Sequence, residues 1–84
     1  MLFLAKITIT LKKSILDPQG KAVYHALESL NFSSIQDVRI GKYIEMKINS
    51  NNMEEAKRQT EDACQKLLSN VIMENYSFTI EEIN

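Results

Sequence analysis

The chain has 84 residues, of which 44% are hydrophobic and 25% charged, a balance typical of a folded protein that excludes a disordered one. Ten basic and eleven acidic residues give a formal charge of −1, so the chain lacks the strong basic field on which nucleic-acid binding usually depends. With a single cysteine the chain can form no intramolecular disulfide, and it contains no CxxC pair of the kind that would indicate a zinc site. We expect a single domain over residues 1–84, because cores rarely divide in so short a chain.

The first predicted element is a strand over residues 2–12, where apolar and polar side chains alternate. A period of two with β-branched residues indicates a half-buried strand. Its inward face would carry Phe3, Ala5, Ile7, Ile9 and Leu11. The apolar start, MLFLA, is too short for a signal-peptide core or a membrane span. We therefore expect a cytoplasmic protein.

A helix follows in the segment LDPQGKAVYHALESLN. Asp17 can cap its N-terminus, and Pro18 suits the first helical position. An apolar stripe at helical spacing comprises Ala22, Val23, Ala26, Leu27 and Leu30. Asn31 can adopt the left-handed conformation that ends a helix.

The segment DVRIGKYIEMKI, residues 37–48, predicts a hairpin with an unusual turn. A two-residue turn would place charges on the apolar face, whereas a three-residue connection over 41–43 opposes Ile40 with Ile44 and aligns all the apolar residues. Lys42 and Tyr43 would then lie at the tip. A single continuous strand would also keep the faces in phase, but it would place Lys42 among the apolar residues.

A second helix is predicted from Met53 to about Ser69, after the polar loop NSNN. Its apolar stripe is Met53, Ala56, Thr60, Ala63, Cys64, Leu67 and Leu68. The segment IMENYSFTIEEI then alternates as a last strand, with Tyr76, Phe78 and Ile80 inward. The order predicts an α+β, ferredoxin-like βαββαβ sandwich, with a four-stranded antiparallel sheet and two helices on one face.

No residue pattern indicates catalysis, so no catalytic, cofactor-binding or metal residue is predicted in this chain. His25 lies off the apolar stripe and lacks a nucleophile or carboxylate in a dry pocket, so we expect it to be solvated. Cys64 lies on an apolar stripe without basic neighbours and is expected to be a core thiol. The two glycines are too far apart for a phosphate loop.

The open face of the predicted sheet carries threonines and charges of both signs. Its residues are Lys6, Thr8, Thr10, Arg39, Glu45, Lys47, Ser77, Thr79 and Glu81. An RNA-recognition module shares this topology but stacks bases on aromatic residues of the central strands, which are missing here. Pairing with another protein surface and simple solvation both remain open.

Three segments resemble the PurS family, the small subunit of phosphoribosylformylglycinamidine synthase. They are LDPQGKAV at 16–23, DVRIGKYIEM at 37–46 and QKLLSNVIMENY at 65–76. The resemblance covers nearly the whole chain. The chain departs from the family in having Val71 where proline is usual, and Phe32, Ser33 and Ser34 where a glycine-containing turn is usual.

The resemblance implies a non-catalytic subunit of an enzyme of de novo purine biosynthesis. That enzyme uses ATP and Mg through a large synthetase subunit (PurL) and takes ammonia from a glutaminase subunit (PurQ). PurS would bridge the two and assist ammonia transfer, as a homodimer or, in isolation, a tetramer. The alternative is a small ferredoxin-like regulatory module that binds an amino acid or a nucleotide.

Two stretches are predicted to bind partners. One is a protruding, partly basic turn of Arg39, Gly41, Lys42 and Tyr43. The other is the start of the first helix, with Asp17, Gln19 and Lys21. The competing interpretation is structural: Gly41 would serve the backbone conformation, the rest of the turn would be solvated, and Asp17 would serve as a cap.

Overall fold

The structure is a computed structural model that describes residues 1–83; Asn84, the last residue of the predicted domain, lies outside them. It contains three strands and two helices. In chain order these are β1 (Leu2–Leu11), α1 (Pro18–Ser29), β2 (Lys42–Asn49), α2 (Met53–Ala63) and β3 (Glu74–Ile83). A π-helical turn, Cys64–Leu68, continues α2. The α+β class is confirmed.

The sheet is antiparallel, and β1 lies at its centre between β2 and β3. Ala5 lies opposite Met46 on one side and Ile80 on the other, and Ile7 lies opposite Ile44 and Phe78. Because directly opposed residues share a face, the apolar side chains of all three strands form one surface. The predicted inward faces of the first and last strands are confirmed.

The core lies between this apolar surface and α2. Ile7 and Ile9 of β1 are fully buried, as are Thr60 and Cys64 on the helical side. The Thr60 hydroxyl donates to the Ala56 carbonyl at 2.9 Å, which satisfies its polar atom inside the core. Asn52 caps α2 by accepting from the Glu55 amide at 2.8 Å.

The π-helical turn overturns one predicted core position. The amide and hydroxyl of Ser69 both donate to the Cys64 carbonyl at 3.0 Å, so the helix ends on a bond that spans five residues. This widened turn points Leu67 outward, where it is 82% exposed, while Leu68 packs against the core. The predicted stripe is therefore wrong at Leu67.

The predicted hairpin and the fourth strand are wrong within the described residues. Residues 35–41 are not a strand, and β2 pairs with β1 instead of with residues 38–40. The reason lies in the hydrogen bonds of this segment, because the Ile40 amide donates to the Asp17 carboxylate at 2.7 Å rather than to a strand. The apolar alternation at Val38 and Ile40 therefore resembles that of a strand, although this segment does not pair with another strand.

The two helices do not share one face of the sheet, contrary to the prediction. α2 packs on β1 and β3, but α1 makes no extended contact with the sheet or with α2 in the described part of the chain. The α1 terminus itself is as predicted, since Asn31 adopts a left-handed φ of 71°. α1 therefore projects from the sheet.

The projecting helix gives the chain an elongated shape of 51 × 28 × 14 Å. Its radius of gyration is 16.5 Å, whereas a compact domain of this length would have about 12 Å. Over residues 1–83, neither helix combines the length and the apolar character needed to cross a bilayer.

Candidate partner-binding site

The residues predicted to bind partners fall into two places in the structure. Most of them meet where the segment 12–21 touches the segment 37–41, a region that we name the junction. Gly41, Lys42 and Tyr43 lead from the junction into the first positions of β2. The junction is the base from which α1 projects.

Asp17 holds the junction together. Its side chain accepts from the Gly20 amide at 2.9 Å, which caps α1, and from the Ile40 amide at 2.7 Å. The bond from Ile40, followed by that from Gly20, lowers the pKa of the Asp17 carboxyl below its usual value. Asp17 is only 5% exposed. Both of its oxygens are engaged, so its role is to position the backbone.

Arg39 closes the other side of the junction. Its guanidinium donates to the carbonyls of Lys12 and Ile15 at 3.0 and 3.1 Å. The Ile15 carbonyl gains its donor in this way, and the Lys12 carbonyl, which also accepts from the Ile15 amide at 2.9 Å, gains a second one. The side chain therefore lies along the chain surface instead of reaching from the tip of a hairpin.

Both glycines are positions where the backbone approaches another segment too closely for a side chain. A Cβ on Gly20 would lie 2.3 Å from the Val38 carbonyl oxygen. A Cβ on Gly41 would lie 2.5 Å from the Ile9 carbonyl oxygen. Gly41 has no positive φ, so it is required by the close approach to β1 and not by a turn.

A surface cavity of about 300 Å³ opens beside the junction. It is lined by Leu16, Asp17, Lys21, Tyr24, Gln36, Asp37, Val38 and Arg39. The structure thus brings together Asp17, Lys21 and Arg39 from the two predicted stretches. Gln19 lies exposed on the first turn of α1, outside this lining.

Lys42 and Tyr43 face opposite sides of the sheet. Lys42 lies opposite Ile9 at the end of the apolar face, and its Nζ is 3.6 Å from a carboxylate oxygen of Glu74. Tyr43 lies on the open face and donates to Glu45 at 2.8 Å, a bond that raises the pKa of its hydroxyl. Lys42 and Tyr43, which are predicted to form the tip of a turn, are therefore the first two residues of β2, with one side chain on each face of the sheet.

No reactive centre is evident among residues 1–83. Burial raises the pKa of the Cys64 thiol, which disfavours the nucleophilic thiolate. His25 is exposed and lies 3.3 Å from Glu28 on the same helix. No group of three His, Cys, Asp or Glu side chains in these residues could hold a metal ion.

The structure exposes two apolar surfaces that the sequence patterns do not predict. The first lies on α1 and its flanks, where Leu16 and Leu30 are each 67% exposed and Phe32 is 51% exposed. The second lies at the end of the sheet beyond α2, around Leu67 and Ile72. Two features of the sequence could have indicated the second surface: the adjacent pair Leu67-Leu68 and the apolar run VIM at 71–73.

Comparison with known proteins shows what this fold resembles. The family model described as PurS, phosphoribosylformylglycinamidine (FGAM) synthase, matches residues 4–82. The PurS subunit of Bacillus subtilis is 42% identical over 82 residues, which are 98% of this chain and 96% of that protein.

Solved structures agree with the sequence match. Thermus thermophilus PurS matches with a TM-score of 0.86 at 36% identity, covering 100% of both chains. A chain in the structure of PurLQS from Thermotoga maritima matches with a TM-score of 0.88 at 26% identity, covering 96% of this chain and 99% of that one. The chain therefore belongs to the PurS family of phosphoribosylformylglycinamidine synthase.

Proposed function

We propose that this chain is the non-catalytic small subunit of phosphoribosylformylglycinamidine synthase in de novo purine biosynthesis. The observation that carries the proposal is the family match over residues 4–82. The chemistry of the described residues supports it, since they offer exposed surfaces and a buried thiol but no reactive centre. In this role the chain bridges the glutaminase and the ATP-dependent synthetase and assists ammonia transfer.

The proposed partners are a large synthetase subunit, PurL, and a glutaminase subunit, PurQ. The support is the match to a chain of the PurLQS structure from Thermotoga maritima. ATP and Mg would be used by the large subunit, and this chain would bind no cofactor. A cytoplasmic location follows from the role and stays a prediction.

Self-association is part of the proposal, because a helix of 12 residues with its apolar side uncovered is only marginally stable in water. Val23, Leu30 and Phe32 are 39%, 67% and 51% exposed. A second copy could cover them against its own sheet, where Ile44 and Ile48 are only half-buried. Each sheet would then carry its own α2 and the α1 of the other copy on one face. We propose that the two-helix, ferredoxin-like layering arises between two copies of the chain.

The predicted partner-binding residues divide into two groups in this proposal. Asp17, Arg39 and Gly41 act from within the chain, because their hydrogen bonds or close backbone contacts fix the direction of α1. The exposed residues Gln19, Lys21, Lys42 and Tyr43 are proposed to contact a partner directly.

Reconstitution tests the function. The chain is mixed with the large and glutaminase subunits from the same source, and amidine formation is assayed with glutamine and, separately, with ammonia. We expect glutamine-dependent turnover to need the chain and ammonia-dependent turnover to proceed without it. Unchanged glutamine-dependent turnover without the chain would refute the proposal. The regulatory alternative would then be tested by melting the isolated protein with amino acids and nucleotides, since the junction cavity could hold such a ligand.

A further inference from the structure

One end of the sheet presents a group of large apolar side chains to solvent. Leu67 and Ile72 are 82% and 81% exposed, and Val71 and Met73 are 48% and 41% exposed. We name these four residues the apolar knob. Single exposed apolar residues are ordinary, but a cluster of this kind on a small chain marks an interaction surface.

The knob is held rigidly by hydrogen bonds of its own turn. The Asn70 side chain accepts from the Ile72 amide at 3.1 Å, and the Asn70 carbonyl accepts from the amides of Met73 and Glu74 at 3.0 and 2.7 Å. The Asn70 amide donates to the Glu74 carboxylate at 2.7 Å, and the Lys12 amide donates to the Met73 carbonyl at 2.9 Å. A surface already fixed in one conformation loses little entropy when it binds.

The exposure of the knob is built into the fold. The two bonds from Ser69 to the Cys64 carbonyl end the π-helical turn so that Leu68 enters the core and Leu67 leaves it. The turn that follows is anchored at both ends, to Lys12, the residue after β1, and to Glu74 at the start of β3. The apolar side chains are therefore displayed by fixed backbone.

The surroundings of the knob are basic. Lys66 precedes it in the chain, Lys12 is bonded to it through the backbone, and Lys13 follows Lys12. None of these lysines belongs to an ion pair within residues 1–83, where the paired basic residues are Lys6, His25 and Lys42. Three carboxylates are near these lysines. Asp37 shares a small cavity with Lys13 and Arg39, Glu74 pairs with Lys42, and Asp62 lies one helical turn before Lys66. Arg39 and Lys42 offset the first two, so the three lysines outnumber the remaining carboxylate. The rim thus carries a net positive charge.

We propose that the apolar knob docks into an apolar groove framed by carboxylates on another subunit of the synthase. This inference rests on the proposed function and adds the surface that makes the contact. A second copy of the chain fits less well. The carboxylates Glu54, Glu55 and Glu82 of a second copy lie at the other end of the sheet, so the contact would be head-to-tail and would repeat into rings or filaments.

Two variants test the two parts of the surface. Ile72→Ser removes the most prominent apolar side chain of the turn, and the double variant Lys13→Glu/Lys66→Glu reverses the rim. The double variant Lys57→Glu/Arg58→Glu is the matched control, because it changes the charge by the same amount at two exposed positions of α2 outside the knob. Binding to the large subunit and to the glutaminase is measured by calorimetry at low and high salt, and self-association by sedimentation.

We expect each knob variant to bind one of these subunits at least ~10-fold more weakly, as for a central apolar anchor or a complementary charge. The rim variant should also lose the salt dependence of wild-type binding. Melting temperature and self-association should match those of the control. Equal affinity of all variants would overturn the inference, and so would a loss of self-association with binding intact, which would assign the knob to a second copy. If the wild-type chain itself binds neither subunit, the proposed function fails first.

Discussion

The carboxylate of Asp17 accepts a hydrogen bond from the backbone amide of Ile40 at 2.7 Å, although 23 positions separate them in the chain. The same side chain caps α1 through the Gly20 amide. One residue therefore fixes both where α1 begins and what its first turn touches. Since α1 has no extended contact with the sheet, this bond and the two from Arg39 set the direction in which the helix projects.

Replacing Asp17 should loosen the junction. In Asp17→Ala two backbone amides lose their acceptor, and we expect the melting temperature to fall by roughly 5–10 °C. Hydrogen exchange should quicken at Gly20 and Ile40 while the centre of β1 stays protected. An unchanged exchange rate at Ile40 would show that the bond does not hold the segment in solution.

The same residue should leave a mark on the pH dependence of stability. Because the folded state lowers the pKa of Asp17, its stabilisation is complete above the unfolded value near 3.8 and is lost as the pH falls through the folded pKa. Asp17→Asn should therefore melt closer to the wild type at pH 3 than at pH 7. A constant difference between the two proteins across this range would contradict the assignment.

Gly20 should not tolerate a side chain. Alanine usually stabilises the interior of a helix by up to ~1 kcal/mol relative to glycine, but here its Cβ would lie 2.3 Å from the Val38 carbonyl oxygen. We expect Gly20→Ala to lower the free energy of unfolding by roughly 1–3 kcal/mol in urea titrations. Gln19→Ala, one position earlier and exposed, is the control and should change it by less than about 0.5 kcal/mol.

Arg39 and Lys42 are both basic, but their removal should have different effects. Arg39→Ala removes the donor to the Ile15 carbonyl and one of the two donors to the Lys12 carbonyl, so we expect a loss of roughly 1 kcal/mol and faster exchange in 37–41. Lys42→Ala removes a 3.6 Å ion pair with Glu74 whose lysine is 56% exposed, and should cost little, with that cost vanishing at high salt. Equal effects of the two variants would argue against a structural role for the guanidinium.

The exposed face of α1 should control self-association. Leu30→Asp places a charge where a second copy is proposed to pack, and should shift the sedimenting species to the monomer. The melting temperature of the wild type should rise with protein concentration, while that of the variant should not. His25→Ala, off the apolar stripe of the same helix, serves as the control. A wild-type protein that sediments as a monomer at high concentration would remove the basis of this prediction.

The elements that could be predicted from sequence are those whose pattern reports burial directly. β1 from Ala5 onward and β3 up to Glu81 alternate because one side of each strand faces the core, and Asn31 ends α1 in the conformation expected of asparagine. The residues 37–41 could not be predicted in this way. Val38 and Ile40 alternate like a strand, but the partner of the Ile40 amide is a distant carboxylate that no periodicity reveals.

The candidate site was only partly accessible to sequence reasoning. Asp17, Lys21 and Arg39 are predicted to bind partners from two separate stretches, and the structure brings them to one cavity. The sequence indicates that Asp17 caps α1, but it does not show that Asp17 also accepts from the Ile40 amide or that Arg39 donates to backbone carbonyls. The outward turn of Leu67 was also hidden, because it depends on a helix ending with a five-residue hydrogen bond.

The position of β1 has a consequence for synthesis of the chain. Leu2 lies opposite Ile83, so β1 pairs with β3, the strand that is farthest from it in the chain. The other edge of β1 pairs with β2, which begins about forty residues after β1 begins. The sheet therefore has high contact order and cannot close before β3 has been synthesised. Until then β1 has at least one open edge, which exposes the growing chain to aggregation.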